Sequence, residues 1–205
     1  MTLIDLMKEV NELTGLQGDI SSVANLKDIQ ATLLTFVRQA NLKIQLASED
    51  WKFMQGTLTL SLDDLTVSTA NANVSKWKRV IWDRTDLQYV DYEDYLVQDW
   101  SVPGRPAKYT VVPETNELVV NALDGPYTLT SRYLKVPKDL VANLDTPLLP
   151  TRFHMLIAYI ASADFGSWLG NPEIEDKNLT NADVMMGQMK RSEIPQKKMQ
   201  FRPLA

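Results

Sequence analysis

Apolar residues recur at intervals of three and four in four stretches of the chain, two near each end. The first two stretches span residues 3–13 and about 25–47, and the last two span residues 150–170 and 171–191. This spacing predicts an α-helix with an apolar stripe along one face for each stretch. Each face needs a partner, so the sequence predicts that helices from both ends of the chain pack into one bundle.

The ends of these helices carry their own signals. Thr2 can accept a hydrogen bond at the start of the first helix, and Asp5 stands where a capping box places its acid. Gly15 and Gly18 follow and are expected to break the chain direction. Asn171 stands at the capping position of the last helix and is followed directly by a proline, which favours a helix start there.

The third of the four stretches is the most apolar. Pro150 suits its first turn, and Gly170 suits the position just past its end, where a positive φ is needed. Asp164 is the only charged residue between Phe153 and Gly170. A helix this apolar is expected to be enclosed by other elements or by neighbouring subunits. We expect it to pack against the helix that starts near Asn25.

The middle of the chain, residues 51–135, shows the two-residue alternation and the β-branched and aromatic residues of strands. Strands are predicted around residues 57–60, 77–82, 109–112, 118–120 and 127–134. Turn residues predict a hairpin connection at 113–116 and a second turn at 123–126. Residues 91–98 predict one short helix, and residues 63–73 predict a long exposed loop or a distorted hairpin.

These elements predict an α+β fold. Residues 1–50 and 136–191 are expected to form the helical bundle, and residues 51–135 an inserted β-sandwich or barrel-like domain. Two prolines and the loss of helical period predict an extended C-terminal tail at 192–205.

Composition excludes several classes of function. The chain has 205 residues, a net charge of −5 and no cysteine. The missing thiols exclude disulfides, thiolate catalysis and cysteine-based zinc sites. The acidic balance argues against a dedicated nucleic-acid binder, which usually presents a strongly basic face. No apolar run approaches the ~18 residues of a membrane helix, and no signal peptide is visible.

Candidate catalytic chemistry is sparse. His154 is the only histidine and stands in an apolar helix, which favours a packed or hydrogen-bonded structural role over catalysis. The acids at 83–86 and 91–94 match no calcium loop, so solvated loop acids are the expectation. The five tryptophans are expected to pack in the core or at interfaces rather than to stack on a ligand. We therefore predict no catalytic residue, no metal site and no cofactor.

The order of elements resembles that of tailed-bacteriophage head-to-tail adaptor proteins, also called head-completion or connector proteins. A long helix ends in Asp50-Trp51-Lys52-Phe53 and is followed by the β insertion. The sequence Thr146-Pro-Leu-Leu-Pro150-Thr-Arg-Phe-His154 then opens an alanine-rich apolar helix. The resemblance covers nearly the whole chain, and the order of elements carries it more than any single short motif.

The resemblance implies a ring, usually of twelve copies, that docks beneath the portal protein and extends the DNA channel towards downstream tail or stopper proteins. It implies no catalytic residue and places the protein in the neck of the virion, after synthesis in the host cytoplasm. Two alternatives stay open. One is another ring of the neck, such as a stopper or tail-completion protein, and the other is a virion-associated hydrolase that uses loop carboxylates.

The C-terminal end is the candidate portal-binding segment in the assembled particle, and a plain disordered tail is the alternative for the free protein. It is basic on an otherwise acidic chain and carries apolar residues among its charges. An extended segment of this kind can dock along a partner with apolar side chains in pockets and cations near acids. In the related adaptors the C-terminus commonly reaches into the portal, which points the same way. The candidate residues are Lys190, Arg191, Lys197, Lys198, Met199, Phe201, Arg202 and Leu204.

Overall fold

The computed structural model describes residues 1–16, 18–24, 26, 28–62, 66–67, 73–121 and 123–195. The chain divides into two compact units by its internal contacts. We call Met1–Phe53 with Pro137–Ala205 the helical unit, and Met54–Val136 the β unit. The described residues contain helices and two β-sheets, which confirms the α+β class.

Five α-helices occur among the described residues: α1 (Leu3–Thr14), α2 (Asp28–Leu46), α3 (Tyr92–Val97), α4 (His154–Leu169) and α5 (Pro172–Glu193). The strands are β1 (Gln55–Leu62), β2 (Thr66–Val67), β3 (Val74–Trp82), β4 (Thr85–Asp86), β5 (Gln88–Tyr89), β6 (Lys108–Val111), β7 (Leu118–Val120) and β8 (Tyr127–Lys135). Short 3₁₀ turns occur at Lys52–Met54 and Thr151–Phe153.

The helical unit is organised around α4. Ten of its 16 residues are buried, and it contacts α1, α2 and α5. The rings of Phe36 on α2 and Phe165 on α4 meet edge to face with their centroids 6.1 Å apart. Enclosure of this apolar helix by other elements and its packing against the second helix are therefore confirmed. Trp168 and Leu169, at the end of α4, stay exposed.

The start of α4 differs from the expectation. Pro150 has an extended backbone with ψ of 138° and precedes the 3₁₀ turn, so α4 begins only at His154. The carbonyl oxygen of Pro150 accepts a hydrogen bond from the Phe153 nitrogen at 2.8 Å, which closes this tight turn. The placement of Pro150 in the first helical turn was wrong. Gly170 ends α4 with φ of 67°, as expected.

Helix α2 buries polar as well as apolar residues. The side-chain nitrogen of Asn41 donates to the Lys138 carbonyl oxygen at 2.8 Å. The amide of Gln45 donates to the same oxygen at 3.0 Å and accepts from the Lys138 nitrogen at 2.8 Å. The helix begins at Asp28 rather than near Asn25, which lies outside the described residues. Its buried face consists of Leu33, Val37, Ala40, Asn41, Ile44 and Gln45.

Helices α4 and α5 approach each other closely at Gly166. A β-carbon there would lie 2.8 Å from the Glu175 nitrogen and 3.0 Å from the Ile174 side chain. Asn171 caps α5 by accepting from the nitrogens of Glu173 and Ile174, as the sequence predicts. Helix α5 runs to Glu193, two residues past its expected end, so Ser192 and Glu193 are helical rather than part of an extended tail.

The β unit contains two four-stranded sheets. The first has the strand order β1-β8-β3-β4, and the second has the order β2-β7-β6-β5. Among the described strands neither sheet closes into a barrel. Side chains from both sheets meet in one apolar core, which includes Leu60, Trp77, Leu118 and Leu129.

The turns and the short helix of the β unit can be compared with those that the sequence predicts. Strands β6 and β7 pair in antiparallel fashion around the turn at 113–116, which confirms that hairpin. Asp83 and Arg84 link β3 to β4 with φ of 44° and 66°, and a two-residue type I′ turn requires such positive values at both positions. The expected short helix is α3, capped by Asp91. Of residues 63–73, Thr66–Val67 form β2, and residues 63–65 and 68–72 lie outside the described residues.

Candidate interaction surfaces

The predicted portal-binding segment begins on the last turn of α5. Lys190 and Arg191 are both exposed there, next to the buried Met189. Cations at this end also complement the partial negative charge of a helix C-terminus. The other six candidate residues lie outside the described residues: Lys197, Lys198, Met199, Phe201, Arg202 and Leu204.

Two contacts hold the end of α5 in the helical unit. A guanidinium nitrogen of Arg152 lies 2.7 Å from the Glu193 carboxylate, which is buried. The side-chain nitrogen of Lys52 donates to the Ser192 carbonyl oxygen at 2.7 Å. Arg152 also lies over the ring of Phe153, 4.8 Å from its centroid. The position from which the chain continues past Ile194 is therefore fixed by residues outside α5.

The sequence analysis did not find this anchor. Glu193 was assigned to an extended tail, and nothing local marks it as the partner of Arg152, 41 residues away in the chain. The one available signal is the lone acid among basic residues at 190–198. A buried carboxylate in that position needs a cationic partner, because burying an unpaired charge is costly.

His154 has a structural position. Its Nε2 lies 2.9 Å from the Leu149 carbonyl oxygen, and its Nδ1 lies 3.0 Å from the amino nitrogen of Met1. The carbonyl oxygen can only accept, so Nε2 carries the proton and Nδ1 accepts, which is the neutral form of the ring. Burial lowers the pKa of His154 and favours the same form. The expectation of a packed, hydrogen-bonded histidine is confirmed.

Three acids of the β unit, Asp86, Asp91 and Asp99, make local structural contacts. Asp86 forms an ion pair with Arg79, and Asp91 caps α3. Hydrogen bonds from Ser101 to the Asp99 carboxylate lower the pKa of that group. Over the residues that the structure describes, no group of three or more histidine, cysteine or acidic side chains is arranged to hold a metal ion.

Two of the five tryptophans are buried in their units, as expected, and Trp82 and Trp100 are half-buried. Trp51 is fully buried and donates to the Ile44 carbonyl oxygen at 2.9 Å. Trp77 is buried in the β core and donates to the Asn116 carbonyl oxygen at 3.0 Å. Trp168 is 55% exposed and stands on the surface at the end of α4.

Each of the two units has an open cleft on its surface. One of about 580 Å³ in the β unit is lined by Lys76, Trp77, Lys78, Tyr89 and Tyr109, among others. One of about 490 Å³ in the helical unit lies between residues 22–24 and 141–144. Neither brings together an acid, a base and a nucleophile in a catalytic arrangement.

Comparison with known proteins gives the family. Within the described part of the chain, no helix has the length and apolar character needed to cross a membrane. A search of curated proteins finds no match to the chain. The family model described as SU10 adaptor protein matches residues 1–200, which is nearly the full length. The chain therefore belongs to the SU10 adaptor protein family, in agreement with its resemblance to bacteriophage head-to-tail adaptors.

Proposed function

We propose that this phage adaptor protein forms a ring between the portal protein and the tail and extends the DNA channel. The observation that carries the proposal is the family match over residues 1–200. Twelve copies are the expected number, and the subunits join head to tail, because a closed ring needs two different contact surfaces on each subunit. The role is structural, without catalysis or a cofactor, in the neck of a virion assembled in the host cytoplasm.

The proposed architecture has three parts. The helices of residues 1–50 and 136–191 form one bundle, and residues 51–135 form an inserted β-sandwich-like domain. The contacts of α4 with α1, α2 and α5 support the first part, and the common core of the two sheets supports the second. Residues 194–205 form the extended tail, which starts after α5 ends at Glu193.

The tail binds the portal. Lys190 and Arg191 start this surface, and the sequence places Lys197, Lys198 and Arg202 among the apolar Met199, Phe201 and Leu204. The anchor at Glu193 supports this role, because a tail that starts from a fixed position loses less entropy on docking. Acidic pockets on the portal are the complementary surface.

DNA passes through the ring without sequence recognition, and downstream tail or stopper proteins bind its far side. The net charge of −5 supports passage, since an acidic chain attracts DNA phosphates less than a basic one does.

The experiment is a truncation after Pro195, tested for portal binding and for particle assembly. A cut after Arg191 is unsuitable because it also removes Glu193, the partner of Arg152. The truncated protein should fold normally, fail to co-purify with portal and give particles that lose DNA or lack tails.

Two matched variants separate the contributions of charge and apolar contact in the tail. One replaces Lys197, Lys198 and Arg202 by Gln, and the other replaces Met199 and Phe201 by Ser. Portal binding at full strength by the truncated protein contradicts the role of the tail. Particles imaged at the neck without a ring of this chain contradict the function itself.

A further inference from the structure

Strand β1 is an unusual sheet edge. From Gly56 to Leu62 it pairs with β8 on one side, and no other described strand pairs with its second side. The strands at the other three sheet edges, β2, β4 and β5, have two residues each, whereas β1 has eight and contains no charged residue. Proteins normally protect an edge by keeping it short or charged, so a long neutral edge indicates a contact surface.

Helix α3 is also only lightly packed within the β unit. None of its six residues is buried. Leu96 is 59% exposed and Val97 is 83% exposed, and Val102 shortly after them is 69% exposed. A helix of only six residues is marginal in water on its own, and grouped exposed apolar side chains mark interaction sites.

The strand order places these two surfaces on opposite sides of the β unit. Strand β1 is one edge of the first sheet, and β4 is the other. Strand β1 contacts β2, an edge of the second sheet, while α3 follows β5 at the opposite edge and contacts β6 beside it. One subunit thus presents two different surfaces on its two sides, which is the arrangement that a closed ring requires.

The charges of the two surfaces are compatible with contact, and Arg132 is the cation that can meet the acids. The α3 side carries the exposed acids Asp91, Glu93, Asp94 and Asp99, and Lys108 of β6 reaches it with its side-chain nitrogen 3.4 Å from the Gln98 side-chain oxygen, so acids outnumber cations there. On the β1 side, the exposed Arg132 of β8 stands opposite Thr57, and β1 itself is neutral. An acidic surface can approach this side without like-charge repulsion from β1.

We infer that the β units of adjacent subunits in the ring join through the β1 edge of one copy and the α3 side of the next. The occupant of each surface is a second copy of this chain. This inference rests on the proposed ring and assigns its contact surfaces.

The absence of cysteine makes the contact measurable by cross-linking. Thr59 on β1 and Val97 on α3 are exposed, so Thr59→Cys and Val97→Cys can be introduced in one chain without disturbing a core. In rings assembled on the portal, a short bismaleimide should link this double variant into a series of covalent oligomers up to the closed ring. Each single variant should stay monomeric under the same treatment.

The control pair is Glu114→Cys with Val97→Cys, because Glu114 is exposed in the β6–β7 turn rather than at the β1 edge. A ring visible in the same samples without a cross-linked series overturns the inference and leaves the proposed function standing. Dimers from Thr59→Cys alone also overturn it, because they show β1 pairing with itself. Absence of any ring overturns both.

A charge pair gives a second, independent measurement. Thr59→Glu should prevent ring assembly, whereas Thr59→Lys should permit it, because the facing side is acidic. Adding Glu93→Lys to the Thr59→Glu chain should restore assembly. Equal loss in the Glu and Lys variants contradicts the assigned partner surface.

Discussion

Helices α4 and α5 are neighbours in the chain and in space, yet they are built differently. Helix α4 buries ten of its 16 residues, and α5 buries four of its 22, two of which are Asn178 and Glu193. The interior helix is therefore held by packing on several sides. The outer helix is held by a narrow stripe, its caps and its close approach to α4. The same substitution should accordingly have very different effects on the two helices.

The largest expected effect comes from Ile157→Asp on α4. Ile157 is fully buried, so the variant buries an unpaired carboxylate and should lose the folded state or at least about 4 kcal/mol of stability. The control is Val184→Asp on α5, where Val184 is 60% exposed and a change within about 0.5 kcal/mol is expected. Thermal or urea unfolding of both variants measures the difference, and equal melting behaviour contradicts it.

Gly166→Ala should have the next largest effect. The new methyl group would lie 2.8 Å from the Glu175 backbone nitrogen, so α4 and α5 must separate, at a cost of about 1–3 kcal/mol. Denaturant unfolding measures this loss. An unchanged midpoint would show that the two helices can shift apart freely.

Asn171→Ala should cost about 1 kcal/mol, since the nitrogens of Glu173 and Ile174 lose their acceptor at the start of α5. Amide hydrogen exchange should show faster exchange confined to the first turn of α5. The substitution Asn171→Asp keeps an acceptor oxygen and adds a favourable charge at the helix start, so it should retain protection. Uniformly faster exchange along α4 as well would contradict a local capping role.

Gly187→Ala should have the smallest effect and the opposite sign. Apart from the neighbouring backbone of α5 itself, no atom of the described residues lies within 4 Å of the position that its β-carbon would occupy. The alanine therefore fits in α5 and should stabilise the protein by about 0.5–1 kcal/mol. Unfolding measurements on Gly187→Ala and Gly166→Ala together compare the same chemical change on two facing helices. Destabilisation by Gly187→Ala would indicate that this part of α5 is covered.

The features that the sequence predicts correctly depend on near neighbours in the chain. The Thr2–Asp5 capping box, Gly170 and the Asn171 cap each act over a few residues, so spacing alone reveals them. The turn between β6 and β7 belongs to the same class. The family resemblance comes from the order of such elements.

The features that the sequence does not predict depend on distant partners. Asn41 and Gln45 look like solvent-facing amides on α2, yet both bind the backbone of Lys138, more than 90 residues away. Glu193 is likewise explained only by Arg152. At the candidate site, the sequence predicts that Lys190 and Arg191 are exposed. It does not predict the tertiary contacts of Arg152 and Lys52 that hold this end of α5 in place.

The end of α5 also has a mechanical consequence. A pull applied to the chain past Ile194 acts on a helix turn that is linked sideways to Arg152 and to Lys52. Such a load acts on both links before it reaches the earlier turns of α5. Traction on the C-terminus is thus transmitted to the start of α4 and to the segment just before β1, rather than lost in fraying of the last helix.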